Sequence, residues 1–423
     1  MKMRDRFLLS SVFLLFLLVT IVNTLPFTSR NSWLLFTETD NGDAIIWQFL
    51  YLSLLIGGGA GILRTIPLRK LNITIYFWLL LSWCLGSAFW SPNPIDTLKT
   101  CFVTFTVFYF IFVNVQALGA KQILNITGNV LFIIIFLSLI SVFNPNAFHL
   151  SSDPEPSTIG ALRGVLYHKN TLGSAAAFAL LFNFFKYNIF CNKPRLRVLA
   201  YIPILSVLIM SKSLTSLVLS IIVIGYSYNF RLYNNLKKKS SLIKIFVALL
   251  ISYLFFIWFA QIAIQDGTTL SGRGLIWGVL LNITATSPLF GQGYGALYGA
   301  GDVSVFANSL DSGYYWYRNV SSGHNGYLDL LASIGIIGTF FFLSMFVWQM
   351  FCYLKVIGKR TNNDNFMRFV LSLTIFIFLH NLIESSFLNK TKIPWIILSI
   401  VFSVIYFTWK NENKGNFTLV SVK

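Results

Sequence analysis

Charge is scarce in this chain. Asp, Glu, Lys and Arg together make up 11% of its 423 residues, less than half of the roughly 25% carried by a soluble domain, so a water-exposed globular fold is excluded. Cysteine is sparse as well. The four, Cys84, Cys101, Cys191 and Cys352, lie inside or beside apolar segments with no C-x-x-C pair, so neither a zinc-ligand spacing nor a disulfide framework is present. Histidine also occurs only four times. No H-x-x-x-H or H-x-x-E spacing occurs, so no metal site is expected. Internal repeats and low-complexity tracts are absent. The glycine-rich "FGQGYGALYGAG", Phe290 to Gly301, lacks the Gly-Lys-Ser/Thr ending of a phosphate loop, so no nucleotide cofactor is expected.

What the chain has in abundance is apolar and aromatic surface, 56% and 17% of its residues. Runs of about 18 or more apolar residues recur, each long enough to cross ~30 Å of hydrocarbon. The expected fold is an all-α polytopic membrane protein forming a single integral membrane domain over residues 1–423. About 12 transmembrane helices are read, at 7–27, 44–63, 71–90, 98–118, 123–143, 171–190, 196–211, 213–230, 242–264, 325–354, 367–387 and 393–409. The sixth to eighth spans have blurred ends because of Pro194, Pro203 and the turn at Ser211-Lys212-Ser213. The first run imitates a signal peptide, but it is long and ends at Leu25-Pro26-Phe27 without a small-x-small cleavage site, so it is read as a retained helix. "GGGAG", Gly57 to Gly61, suits close helix packing in the second span.

The formal net charge of +18 is a topology signal. With the N-terminus placed in the cytoplasm, most of the 32 basic residues fall on that side, from Lys2, Arg4 and Arg6 to the C-terminal lysines, while most acidic residues fall outside. This is the positive-inside pattern, with both termini cytoplasmic and basic loops drawn to anionic membrane lipids. No nucleic acid partner is expected. Two external loops stand out by length, about 144–170 and 265–323, and loops this long are usually functional. The second is aromatic-rich and holds "SGRGLIWGVLLNIT", which reads as a short helix opened by Ser271 and Gly272. Residues 265–323 are therefore expected to form a folded external cap between the ninth and tenth spans.

The outer ends of the helices hold the chemistry-bearing residues, and such groups at membrane depth need a reason. Three His/Asn pairs occur there: His168 and Asn170, His324 and Asn325, His380 and Asn381. Asp329 and Glu384 add carboxylates, and Arg163, Lys169, Lys212, Arg273 and Arg318 add cations. In "SSGHNGYLD", Ser321 or Ser322 is expected to cap the tenth span, which puts His324 in its first turn. There the helix dipole disfavours the imidazolium. His324 reads either as an interfacial residue at its own helix start or as a neutral base. Arg273 reads either as a phosphate fork at a helix N-terminus or as a cation stacked on Trp277. Tyr294, Tyr298, Tyr314, Tyr315, Trp316 and Tyr317 offer sugar-stacking faces or serve as ordinary interfacial aromatics.

Four motifs, "RGVLYHKNTLG", "SKSLTSLV", "SGRGLIW" and "GHNGYLDLLASIGIIG", with "HNLIES" beyond them, carry a likeness across about Arg163 to Leu388. In them the sequence resembles the bacterial O-antigen ligase and polymerase superfamily of membrane glycosyltransferases. The "HKN" form is similar to members assigned to exopolysaccharide production. The resemblance implies metal-independent transfer of a glycan from undecaprenyl diphosphate to an acceptor sugar hydroxyl. The acceptor would be lipid A–core for a ligase or a growing chain for a polymerase, and the reaction would take place on the periplasmic face of the inner membrane. By position, Arg273 would bind the diphosphate and His324 would activate the acceptor. His168, Lys169, Asn170, Asn325, Asp329 and Glu384 are expected to contact the diphosphate or glycan. Family members often show Ser-Arg at the seventh-to-eighth turn. Here Lys212 stands nearby, with Arg163 as a substitute for the second phosphate contact. The rival class is a glycolipid transporter or flippase without bond chemistry, which should show related halves or broken midplane helices in matching positions; neither is seen. A metal-dependent glycosyltransferase has the acidic "ETDNGD", Glu38 to Asp43, as its one support.

Overall fold

The computed structural model describes residues 3–22, 52–53, 56, 75–149, 158–228, 272–298, 304–310, 320–357, 364–389 and 391–413. The second and ninth expected spans, 44–63 and 242–264, lie almost wholly or wholly outside these, as do Arg318 and the aromatic run Tyr314 to Tyr317. The elements are α1 (Met3–Ile21), α2 (Ile75–Gly86), α3 (Pro94–Leu118), α4 (Ala120–Ile140), α5 (Lys169–Phe184), α6 (Pro194–Leu199), α7 (Tyr201–Met210), α8 (Leu214–Tyr228), α9 (Arg273–Thr286), α10 (Val305–Asn308), α11 (Gly326–Ile357), α12 (Asp364–His380) and α13 (Ile393–Asn413). Among the described residues, one isolated β-bridge, Phe148 to Leu162, joins two loops. Among the described residues, four helical stretches are long and apolar enough to cross a membrane: Pro94–Leu118, Ala120–Phe143, Gly326–Ile357 and Ile393–Glu412.

The bundle is built around α13. Every residue from Ile393 to Phe407 is buried, as expected for a helix that is apolar on all sides. It packs against α3, α11 and α12, while α5 packs against α4, α7 and α8. The outer surface has the opposite character to that of a soluble protein. Along α11, Ile336, Phe340, Leu343, Val347 and Phe351 follow helical spacing on one face and are all exposed. Such a stripe is stable against lipid and costly against water. Proline shapes the seventh span: Pro203 has no N–H for the carbonyl of Leu199, and the helix is interrupted at Ala200, between α6 and α7.

The sixth span ends at Phe184 rather than 190, and two further expected boundaries change. The eleventh span ends at His380 rather than 387, because Asn381 turns the chain back on itself. Its Oδ1 accepts from Ser386 N and Oγ and from Phe387 N, at 2.9, 3.0 and 3.2 Å. The result is a closed loop that carries Glu384 and Ser385. The tenth span is one helix in sequence and two in space. Gly335, the first glycine of "GIIG", sits at φ 66° and ψ −174° and breaks α11.

That break would leave backbone groups without partners in an apolar medium, which is costly. The segment after α9 supplies them. Gln292 N and Gly293 N donate to the carbonyls of Ala332 and Ser333, both at 2.9 Å, and Ile336 N and Ile337 N donate to Pro288 and Leu289 at 2.9 and 3.3 Å. Trp83 Nε1 donates to the carbonyl of Ile334 at 2.9 Å. The segment expected to be an external cap is thus wired into the first part of α11. Ile276, Leu280, Ile283, Leu297, Phe306 and Ala332 form a second small core between them.

The break yields a stability prediction. A Cβ at Gly335 would overlap the carbonyl of Leu289, on a backbone that L residues rarely adopt. Gly335→Ala should lower stability by more than about 1 kcal/mol, read as a lower thermal midpoint in detergent. Gly225→Ala, where a Cβ meets open space inside α8, should leave the midpoint unchanged or slightly raised. Equal midpoints for the two variants would show that the break carries no strain.

Candidate functional site

The site forms where three separate stretches of chain meet one carboxylate, carried on a fourth. Gly272, at φ 80°, caps α9 and makes Arg273 its first residue. From there Arg273 Nη2 reaches Glu384 Oε1 at 2.6 Å. Asn170, in the first turn of α5, donates from Nδ2 to the same oxygen at 2.7 Å. His324 Nδ1 meets Oε2 at 3.2 Å. Thus Arg273, Asn170, His324 and Glu384, drawn from a sequence interval of more than 200 residues, share one centre.

His324 is held by its neighbours on both sides. Asn325, and not Ser321 or Ser322, caps α11: its Oδ1 accepts from Tyr327 N at 3.0 Å and Leu328 N at 3.1 Å. His324 therefore stands before the helix, not in its first turn, and its φ of 50° is left-handed. A non-glycine residue pays of order 1 kcal/mol for that conformation, so the surroundings must impose it. Gly323 N donates to Asp329 Oδ2 at 3.1 Å, and its carbonyl accepts from Trp277 Nε1 at 3.0 Å. Asn325 N donates to Ser385 Oγ at 2.9 Å and Gly326 N to the carbonyl of Asn381 at 2.8 Å. A Cβ at Gly326 would overlap Asn381, which explains the second glycine of "GHNG".

The electrostatics follow from the contacts. Burial alone would raise the Glu384 carboxyl; His324 and then Arg273 overcome this and hold it well below the usual carboxylate range. Glu384 is therefore ionised and can only accept. Nδ1 of His324 then carries the shared proton, and Nε2 of the neutral ring keeps its lone pair for another partner. Burial, followed by the charge of Asp329, pushes the Tyr298 phenol well above its ordinary value. Tyr298 accordingly stays a donor, to Asp329 Oδ1 at 2.6 Å. Lys392 is pushed down by burial, with Glu384 and Asp329 opposing the shift.

The remaining expected residues take other places. Asp329 does not bond His324. It braces the turn through Gly323 and Tyr298. His168 caps α5, its Nδ1 accepting from Asn170 N at 3.1 Å, and Lys169 N donates to His149 Nε2 at 3.2 Å. Arg163 is buried with Nε on the carbonyl of Asn146 at 3.0 Å, and Lys212 reaches the carbonyl of Ile159 at 3.3 Å. Neither makes a described contact with Glu384. His380 is a core residue: it is 4% exposed, stacks on Phe376, and has no hydrogen-bond partner at either ring nitrogen among the described residues. Tyr294 is likewise buried, its hydroxyl donating to the carbonyl of Leu388 and accepting from Thr104 Oγ1 at 2.9 Å, so it presents no face for a sugar.

Sequence reasoning missed His149, Ser385 and Lys392. Ser385 and Lys392 could have been suspected from their place on the short connection that carries Glu384. His149 has no local signal, since its role is to receive Lys169 N from 20 residues away. No group of three or more His, Cys, Asp or Glu residues placed to hold a metal ion occurs among the described residues.

Comparison with known proteins places part of the chain. The family model described as O-antigen ligase matches residues 199–343, about a third of the sequence, and it contains both Arg273 and His324. That match supports the O-antigen ligase and polymerase superfamily as the relationship of this chain. Together with the apolar helices it marks a membrane protein. The curated proteins give no match.

The lowered Glu384 carboxyl sets a pH dependence. A carboxyl lowered by folding contributes stability that is complete above its unfolded pKa and is lost only as pH falls through the folded one. The gap in thermal midpoint between wild type and Glu384→Gln should therefore persist below about pH 4.3, the ordinary glutamate value, and close only in stronger acid. A gap already closed near that value would mean that Arg273 and His324 do not hold the charge.

Proposed function

We propose, from the relationship of residues 199–343 to O-antigen ligase, that the chain transfers a glycan from undecaprenyl diphosphate to an acceptor sugar hydroxyl. The observation that carries this proposal is the meeting of Arg273 and His324 at Glu384. A guanidinium able to hold phosphate and an imidazole whose Nε2 has no hydrogen bond among the described residues meet the two oxygens of one carboxylate, which brings together a cation for the leaving group and a base for the nucleophile. The acceptor hydroxyl gives its proton to Nε2 while its oxygen attacks. The bond to the diphosphate breaks with its electron pair on the phosphate oxygen, and Arg273 balances the charge that leaves. Asn170 and Glu384 hold the two working groups, and Asp329 with Tyr298 braces the turn that carries His324.

In this reading the enzyme is an inner-membrane protein of a bacterium with both termini in the cytoplasm and its site on the periplasmic face, and residues 265–323 cap that site. Transfer needs no metal. The acceptor is lipid A–core for a ligase and a lipid-linked repeat for a polymerase, and "HKN", His168 to Asn170, favours surface polysaccharide polymerisation. Arg163 and Lys212 belong to the loops that pack beside the start of α5, where a second phosphate contact could be made after the substrate enters.

The decisive measurement supplies purified protein with a labelled undecaprenyl-diphosphate oligosaccharide, with and without lipid A–core. Longer lipid-linked chains mean a polymerase, label on the core means a ligase, and the absence of any covalent product means transport. His324→Ala should lower transfer by about 10²-fold or more at unchanged protein level and helix content. Arg273→Lys should lose most activity, because an ammonium cannot replace the fork; wild-type rates in that variant would exclude a bidentate clamp. Activity should survive EDTA. A strict divalent requirement would instead favour a metal-dependent enzyme using the "ETDNGD" loop.

A further inference from the structure

Glu384 divides its two oxygens between two kinds of chemistry. Oε1 takes Arg273 and Asn170, and Oε2 faces His324. Its side chain is 12% exposed, against 17% for Arg273 and 22% for His324. The carboxylate is thus the least exposed of the three groups. Among the described residues Arg273 engages Glu384 through one of its nitrogens, Nη2. A guanidinium has five N–H donors, so another edge can receive phosphate while Nη2 stays in place.

We propose that Glu384 is a positioning residue that couples donor binding to base strength: a diphosphate docked on Arg273 cancels the guanidinium charge, and the carboxylate then acts on His324 alone, making Nε2 the stronger base. This rests on the transfer reaction proposed above and adds an order to it, donor before acceptor. The physical reason is the short path between the charges. In a site of low effective dielectric, a cation 2.6 Å from Oε1 offsets much of the field that the carboxylate exerts at the imidazole. Adding the anionic donor removes that offset. The sign is the same whether Arg273 keeps Nη2 on Oε1 or swings towards phosphate, because the positive charge felt by His324 falls in both cases.

Among the described residues, the other charged or titratable groups facing this centre are Asp329 on the helix after His324, Lys392 at the end of the Glu384 loop, and His380 at the end of α12. None of them is a partner of Arg273 in a hydrogen bond or ion pair, so donor occupancy acts chiefly through Arg273. The reaction balances. One proton moves from the acceptor hydroxyl to Nε2, one C–O bond forms at the anomeric carbon, and one C–O bond breaks with its pair retained by the diphosphate. The imidazolium so formed faces Glu384, and the diphosphate faces Arg273.

The test uses full-length protein and an undecaprenyl-diphosphate oligosaccharide as donor, with pH–rate profiles as the readout. In wild type the acid limb of kcat, which reports the donor-loaded enzyme, should lie about one pH unit above the acid limb of kcat/KM for the donor, which reports the free enzyme. In Glu384→Gln the imidazole loses its carboxylate in the free and in the donor-loaded enzyme, so both limbs should move to lower pH and kcat should fall about 10²-fold, while donor KM changes less than about threefold. Glu384→Asp should recover part of kcat and return both limbs part of the way. Coincident limbs in wild type overturn the coupling, and so does a Glu384→Gln enzyme whose loss lies in donor KM. If Glu384→Gln does not accumulate, the wild-type comparison decides by itself. A wild type that forms no product overturns the transfer reaction; product formed with coincident limbs removes only the coupling.

Discussion

A single buried carboxylate organises the candidate site of this protein. Glu384 draws together the start of α9, the first turn of α5 and the left-handed turn before α11, three places with no local reason to meet. A charge this buried is stable only when its oxygens are satisfied. The ion pair with Arg273 and the hydrogen bonds from Asn170 and His324 meet that requirement. Each of those partners is also a group that the proposed chemistry uses or positions. Stability and function therefore lean on the same contacts, and a substitution at Glu384 must be read by rate profile as well as by yield.

The second constraint is backbone satisfaction in an apolar surrounding. Wherever a helix breaks near the site, another part of the chain supplies the missing hydrogen bonds. At Gly335 the partners are Pro288 to Gly293 and the indole of Trp83. After His380 they come from the side chain of Asn381. These two repairs give the site its rigidity. The first locks the α9 segment that carries Arg273 onto the first part of α11, and the second closes the loop that presents Glu384 and Ser385. Ser385 then holds Asn325 N, so the loop and the His324 turn are fastened together.

Much of this was legible in the sequence, though unevenly. Apolar runs located α3, α4, the length of α11 and α13 to within a few residues, because long hydrophobic periods are a local property. The start of α9 at Arg273 was readable from Ser271-Gly272 for the same reason. The cap of α11 was misplaced onto serine, since Asn325 and the two serines are equally good caps in isolation. The end of α12 was extended to 387 because "LIESSF" is apolar enough to continue a helix, and only the bonds from Asn381 to Ser386 and Phe387 stop it. Tyr294, Tyr298 and His380 read as surface or site residues, whereas packing turns them into a core phenol, a brace for Asp329 and a buried ring on Phe376.

By itself, the sequence determined that the chain is a helical membrane protein, which residue types sit near helix ends, and that Arg273 and His324 occupy motif positions. Those are matters of composition and spacing, which need no knowledge of distant contacts. Only the tertiary structure decided that Glu384 lies between Arg273 and His324, that Asp329 braces and does not pair with His324, and that Arg163 and Lys212 make their contacts in the neighbouring loops. Hydrogen bonds act over about 3 Å. Which groups come within that distance is set by how the helices pack, and no local pattern in the chain encodes it.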